Sequence, residues 1–230
     1  RIAAQTCKQV VIQGIREAER NASYESFSSK AQEMLTGTVL RVDPTGDIFV
    51  RIGQGNEQND AVLRTSEQIP GESYDVGDRL KVYISEVNVG ETRGPIVTLS
   101  RVHPNFVKRL FELEIPEIAD GIVIVKGVAR EAGSRTKISV ISRDPDVDAV
   151  GACIGNRGMR IAEIVEELNG EKIDVVTFSE KPEEYIAAAL SPASVLEVDF
   201  DGERSATVWV DSDQLSLAIG KEGQNARLAA

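Results

Sequence analysis

Histidine is nearly absent from this sequence: His103 stands alone in 230 residues, with two cysteines, one tryptophan and aromatics at 5%. A solitary histidine before Pro104, at a helix start and without a conspicuous acidic or nucleophilic neighbour, reads as a surface residue and is assigned no chemistry. Cys7 and Cys153 lack metal-ligand spacing, and Cys153 reads as a small apolar residue in a helix. No apolar run approaches membrane-spanning length and the first residues lack the regions of a signal peptide, so a cytoplasmic, reducing compartment is expected. Positive charge is scarce: 26 Lys and Arg face 37 Asp and Glu, for a net charge of −11. That excludes a protein that coats nucleic acid by bulk electrostatics, so any RNA contact must be local. A nucleotide-hydrolase loop, Gly-rich and ending in Gly-Lys-Ser/Thr after a strand, is missing too. Acidic clusters such as Glu163, Glu166 and Glu167 fall on the outer side of an amphipathic helix, which makes them a solvated face rather than an acid–base pair.

What is present is a repeat. Gly155-Asn156-Arg157-Gly158 and Gly220-Lys221-Glu222-Gly223 lie 65 residues apart, each preceded by a short apolar helix and followed by a second helix. Ile161, Ile164, Val165 and Leu168 give the second helix of the first copy one buried stripe. Paired glycines let the backbone turn sharply and bring N–H groups near an anion, and the next helix adds its N-terminal partial charge. Such a loop suits a backbone phosphate and is the mark of the KH module. Arg157, Arg160, Lys221 and Arg227 add cations there. One such loop is ordinarily just a tight turn; two in matching contexts favour function.

Residues 1–33 read as a helix already under way, with Ile2, Val10, Val11 and Ile15 apolar and a serine-rich stretch, Asn21 to Ser29, that is expected to stay helical. The absence of a cap ahead of it suggests a fragment whose preceding part continues this helix. Five short strands follow between Leu35 and Leu99, which predicts a small closed barrel of the OB type over residues 34–101. Phe49, Tyr83, Arg51, Arg64 and Lys81 fit either a stacking and cationic face for single strands or ordinary core and surface positions. A helix, two strands, a helix, the first loop, a helix and a third strand make an α+β module over 102–179. The same order begins again over 180–230 and stops at Ala230 before its third strand. The joint Ser179 to Pro182 is short enough to limit independent tumbling.

The longer motifs Gly151-Ala152-Cys153-Ile154-Gly155, Gly170-Glu171-Lys172-Ile173-Asp174, Ala189-Leu190-Ser191-Pro192-Ala193 and Gln214 through Ala230 resemble the NusA family of bacterial transcription factors. The resemblance covers essentially the whole chain. It implies a multidomain α+β protein: a linker helix, an S1-type five-stranded barrel and two tandem KH modules of the prokaryotic, type II topology. It also implies a non-enzymatic protein without metal or other cofactor, acting as a monomer in the cytoplasm on pausing, termination and antitermination. The implied partners are single-stranded nascent RNA, RNA polymerase (chiefly through an N-terminal domain outside this chain) and other antitermination factors. Carried over by position, the RNA-contacting residues are Gly155, Asn156, Arg157, Gly158 and Arg160, with Gly220, Lys221, Glu222, Gly223, Gln224, Asn225 and Arg227. The RNA-binding tail of a processive exoribonuclease joins similar modules, but in polynucleotide phosphorylase KH precedes S1, and here it follows.

Overall fold

Alternation of side chains decides the first half of the chain. In Ile48–Ile52, Ile48, Val50 and Ile52 are buried while Arg51 is exposed, so the period of two turns one face inward. A computed structural model describes residues 2–55, 58–89 and 95–230, with side chains from Lys8 onward. Among the described residues, β1 (Met34–Val42), β2 (Ile48–Ile52), β3 (Asn59–Leu63), β4 (Arg79–Asn88) and β5 (Ile96–Ser100) close into a barrel in the order β1-β2-β3-β5-β4. Within the barrel, among the described residues, only the β3–β5 pairing is parallel. The sequence from Gly90 to Pro95 reads as a turn before the fifth strand; apart from Pro95 it lies outside the described residues, as does the side chain of Cys7.

The helix α1 (Ile2–Ser29) runs unbroken through the serine-rich stretch and ends at Ser29 rather than at residue 33. Serine and asparagine are weak helix formers. Phe27, fully buried within the barrel core beside Val50 and Leu99, anchors the last turns, and the Ser29 hydroxyl donates to the Ser26 carbonyl at 2.8 Å.

Two compact units divide the chain, one comprising residues 1–68 and 72–106, the other 69–71 and 107–230. The helix α2 (Pro104–Glu114) contributes to both, and a one-turn α3 (Pro116–Ala119), not expected from the sequence, follows where Pro116 stops it. In the second unit, β6 (Val123–Glu131) and β7 (Arg135–Ser142) form an antiparallel hairpin, and β8 (Lys172–Thr177) joins β7 in parallel. Between β7 and β8 come α4 (Ala149–Ile154), whose first turn is capped by the Asp148 carboxylate accepting from the Val150 N–H, and α5 (Met159–Glu167). The second copy supplies α6 (Pro182–Ala189), the antiparallel pair β9 (Glu197–Phe200) and β10 (Ala206–Trp209), α7 (Leu215–Ile219) and α8 (Gln224–Ala229).

A fully buried ion pair ties this unit together. The Arg130 guanidinium donates to both carboxylate oxygens of Glu171, at 2.9 Å each, and both side chains are 0% exposed. The Gly133 N–H donates to the same carboxylate at 2.8 Å, and the Thr136 hydroxyl donates to it as well. The residue immediately before β8 is thereby locked to the tip of the β6–β7 hairpin. Removing one partner of such a pair strands the other charge, which costs about 3–5 kcal/mol. Glu171→Ala is expected to lose stability on that scale in chemical denaturation followed by circular dichroism; a loss under about 1 kcal/mol, the worth of an exposed pair, would show that the pair is not the anchor.

Candidate nucleic-acid interface

The two Gly-x-x-Gly loops adopt one backbone conformation. Gly155 has φ 75° and ψ 177°, and Gly220 has φ 75° and ψ 173°; Gly158 and Gly223 follow at φ 75° and 77°. Between them, Arg157 (φ 53°, ψ 27°) and Glu222 (φ 55°, ψ 24°) occupy the left-handed region, which costs a residue with a Cβ of the order of 1–3 kcal/mol. The second helix starts directly after each loop, at Met159 and at Gln224, as the sequence suggests, and the last three residues of each loop, Asn156–Gly158 and Lys221–Gly223, form a 3₁₀ turn. The glycine N–H groups are also engaged internally: Gly155 donates to Gly151 O at 2.9 Å and Gly158 to Gly155 O at 3.2 Å, with equivalent bonds from Gly220 and Gly223. What the loops present outward is therefore the central pair of each. Asn156, Arg157, Lys221 and Glu222 are exposed, and Arg157 and Lys221 form no ion pair among the described residues.

Beneath each loop a polar side chain serves as a support. A Cβ on Gly155 would meet Arg160 Cγ at 2.7 Å, and one on Gly220 would meet Asn225 Cβ and its backbone N at 2.8 Å. Arg160 was expected to reach phosphate. Instead its guanidinium donates to the Glu117 carboxylate and to Ala152 O, both at 2.8 Å. Glu117 is held below its ordinary pKa, first by its own backbone N–H and then by Arg160. Asn225, likewise expected at RNA, is fully buried and donates to Leu190 O and Ala218 O at 3.0 Å each. Burial removes Asn225 from RNA contact, whereas Arg160 keeps 35% of its side chain exposed; in both copies the side chain five positions after the first glycine folds back under the loop, and a glycine is required above it.

Gln224 and Arg227 are engaged as well. Gln224 Nε2 donates to Glu131 and to Ser134 Oγ at 2.7 Å each, while Arg227 Nε donates to Glu131 at 2.6 Å and its NH1 to Glu222 O at 3.1 Å. Arg227 first, then Gln224, hold the Glu131 carboxyl below the usual range, and Glu131 in turn raises Arg227. Sequence reasoning overlooked Ile154 and Ile219, which stand directly before each first glycine and are 38% and 46% exposed. The repeat itself carried that signal, since both apolar residues occur at the same offset.

On the barrel, Tyr83 cannot stack on a base. It is 1% exposed, its ring stacks on His103 at 4.8 Å, and its hydroxyl accepts from Asn105 at 3.2 Å. His103 is correspondingly half-buried rather than superficial, and its Nδ1 accepts from the Asn105 N–H at 3.0 Å. Arg51 pairs with Asp60 at 3.0 Å. Phe49 lies beneath the Arg41 guanidinium, 3.7 Å from the ring centroid, and Arg64 is exposed. Cys153 is buried as expected, and burial pushes its thiol up to about 12. Among the described residues no group of three or more His, Cys, Asp or Glu is placed to hold a metal ion, and no helix is long and apolar enough to cross a membrane.

Three family profiles match this chain: an S1 RNA binding domain over residues 29–98, a NusA-like first KH domain over 101–178 and a NusA-like second KH domain over 182–230. A closed S1 barrel followed by two KH modules defines a protein of the RNA-binding class. Transcription termination/antitermination protein NusA of Bacillus subtilis is 54% identical over 231 residues, covering all of this chain and 61% of the relative. The proteins of the same name from Mycobacterium tuberculosis and Thermus thermophilus are 48% and 46% identical, with 67% and 58% of their lengths covered. The chain belongs to the NusA family. It spans about three-fifths of the length of the Bacillus and Thermus relatives.

The loop geometry predicts an order of tolerance. Gly220→Ala, which sets Cβ against backbone, is expected to destabilise most, Gly155→Ala next, and Gly158→Ala and Gly223→Ala least. The last two meet only ordinary contacts, Ile161 Cγ2 at 3.9 Å and the end of a flexible Arg227 at 4.0 Å, and bear little beyond the left-handed strain of about 1–2 kcal/mol. Thermal melts of the four variants check this; equal losses would contradict the support role of Arg160 and Asn225.

Proposed function

We propose that this segment binds single-stranded nascent RNA at its two Gly-x-x-Gly loops and, through it, acts on pausing, termination and antitermination by RNA polymerase, without catalysing a reaction. The observation that carries this reading is the doubled loop: two copies with the same strained backbone, each presenting an exposed, unpaired cation, Arg157 or Lys221, on a protein that is otherwise strongly acidic. Local cations in an acidic surround let phosphate bind at chosen points and discourage it elsewhere. Ile154 and Ile219 put apolar surface beside each loop, where an unstacked base can rest. The contacts are assigned to Gly155, Asn156, Arg157 and Gly158, and to Gly220, Lys221, Glu222 and Gly223; Arg160, Gln224, Asn225 and Arg227 support them. Domains are assigned as a linker segment at 1–33, helical to Ser29, the S1 barrel at 34–101, the first KH module at 102–179 and the second from 180 to 230. A monomer in the cytoplasm, touching polymerase chiefly through a domain outside this chain and open to other antitermination factors, completes the proposal.

Replacing Asn156, Arg157, Lys221 and Glu222 together with Asp is expected to abolish RNA binding in filter assays while circular dichroism stays that of the parent. Retained affinity in the folded variant would reduce the loops to structural turns. Each phosphate contact on a single strand adds about 0.7 to the log–log salt slope, so the parent is expected to show a shallow, non-zero slope; zero would argue against phosphate recognition.

A further inference from the structure

Arg227 and Gln224 were candidates for RNA contact, yet both reach across to the first module. The hairpin tip that receives them is the segment already locked by Glu171: Arg130 is held by the buried carboxylate, Glu131 follows it, and Gly133 donates to the same carboxylate next to Ser134. The brace then continues into the second loop itself, because Arg227 also donates to the carbonyl of Glu222, the left-handed residue between the two glycines. The repeat provides an internal comparison. At the offset of 65 residues, Gln224 corresponds to Met159 and Arg227 to Ala162, both exposed. This cation occurs only in the copy that faces a carboxylate.

We infer that Glu131 is a positioning residue that fixes the second Gly-x-x-Gly loop relative to the first module, with Arg227 as the strut between them and not a phosphate contact. Two further bonds join the same modules, Lys137 Nζ to Ser191 O at 2.7 Å and Tyr185 Oη to Ser139 Oγ at 2.8 Å, but neither touches a loop. They keep the modules together when the strut is cut. The strut sets where the second loop points. This inference rests on the RNA-binding reading above.

The test is a charge exchange in the full chain. E131R, R227E and E131R/R227E are titrated with unstructured RNAs built only of A and C, about four and about twelve nucleotides long, one short enough for a single loop and one long enough for both. Each single substitution is expected to weaken the long RNA about tenfold or more and leave the short one within about twofold, because it removes the intramolecular advantage of the second contact and not a contact itself. The exchanged pair is expected to recover the long RNA to within about threefold of the parent, although position 227 now carries a negative charge. If E131R/R227E is as weak as R227E, Arg227 contacts phosphate and the inference fails. It fails equally if the single variants bind the long RNA as the parent does, or if E131Q, the gentler change should E131R fold poorly, binds it more tightly. Loss of both RNAs in the four-Asp loop variant, measured alongside, keeps a failure of this inference separate from a failure of the RNA-binding reading.

Discussion

A carboxylate with no access to water governs the second half of this chain. A buried carboxylate is costly unless its oxygens are occupied, and Arg130, Gly133 and Thr136 occupy those of Glu171. Each donor comes from the β6–β7 hairpin, so burying one acid fixes the hairpin tip against the start of β8. The tip then carries Glu131 and Ser134 outward as rigid acceptors for the second module. A polar network of this kind is all or nothing: with every member satisfied it specifies one geometry, and with one missing it leaves a charge in the core.

The loops work by the opposite device, an exposed strain. Arg157 and Glu222 hold the left-handed conformation only because glycines flank them and a folded-back side chain sits below. That arrangement spends side-chain polarity on support, which is why Arg160 and Asn225 face inward. Outward-facing charge is left to the central residues. Arg157 and Lys221 are the exposed cations at the centre of these loops, on a chain of net charge −11.

Much of this was legible in the residues. Period-two alternation located all five barrel strands to within a few residues, and the 65-residue repeat located both loops before any coordinates. What the sequence concealed was direction. Arg160 and Arg227 are cations beside a phosphate-type loop, and one-dimensional spacing cannot tell a cation aimed at ligand from one aimed at Glu117 or Glu131, 43 and 96 residues away. Tyr83, open in the sequence between a stacking face and the core, was undecided for a related reason: strand alternation places it on the outer face, but His103 and Asn105 at the start of α2 cover that face and bury it. Long-range partners were the hidden variable in each case.

Under the proposed function, two loops of one backbone conformation, Gly155 to Gly158 and Gly220 to Gly223, read one continuous RNA. Titration with unstructured RNAs of graded length tests it most directly. With about four nucleotides per loop, affinity is predicted to climb steeply between about four and eight or more nucleotides and then level off, since the second contact is made at an effective concentration that reaches roughly millimolar. A long Gly/Ser insertion after Ser179 should flatten that climb by diluting the second site. Saturation already at about four nucleotides, unaffected by the insertion, would mean that the loops do not share one RNA and would contradict the account.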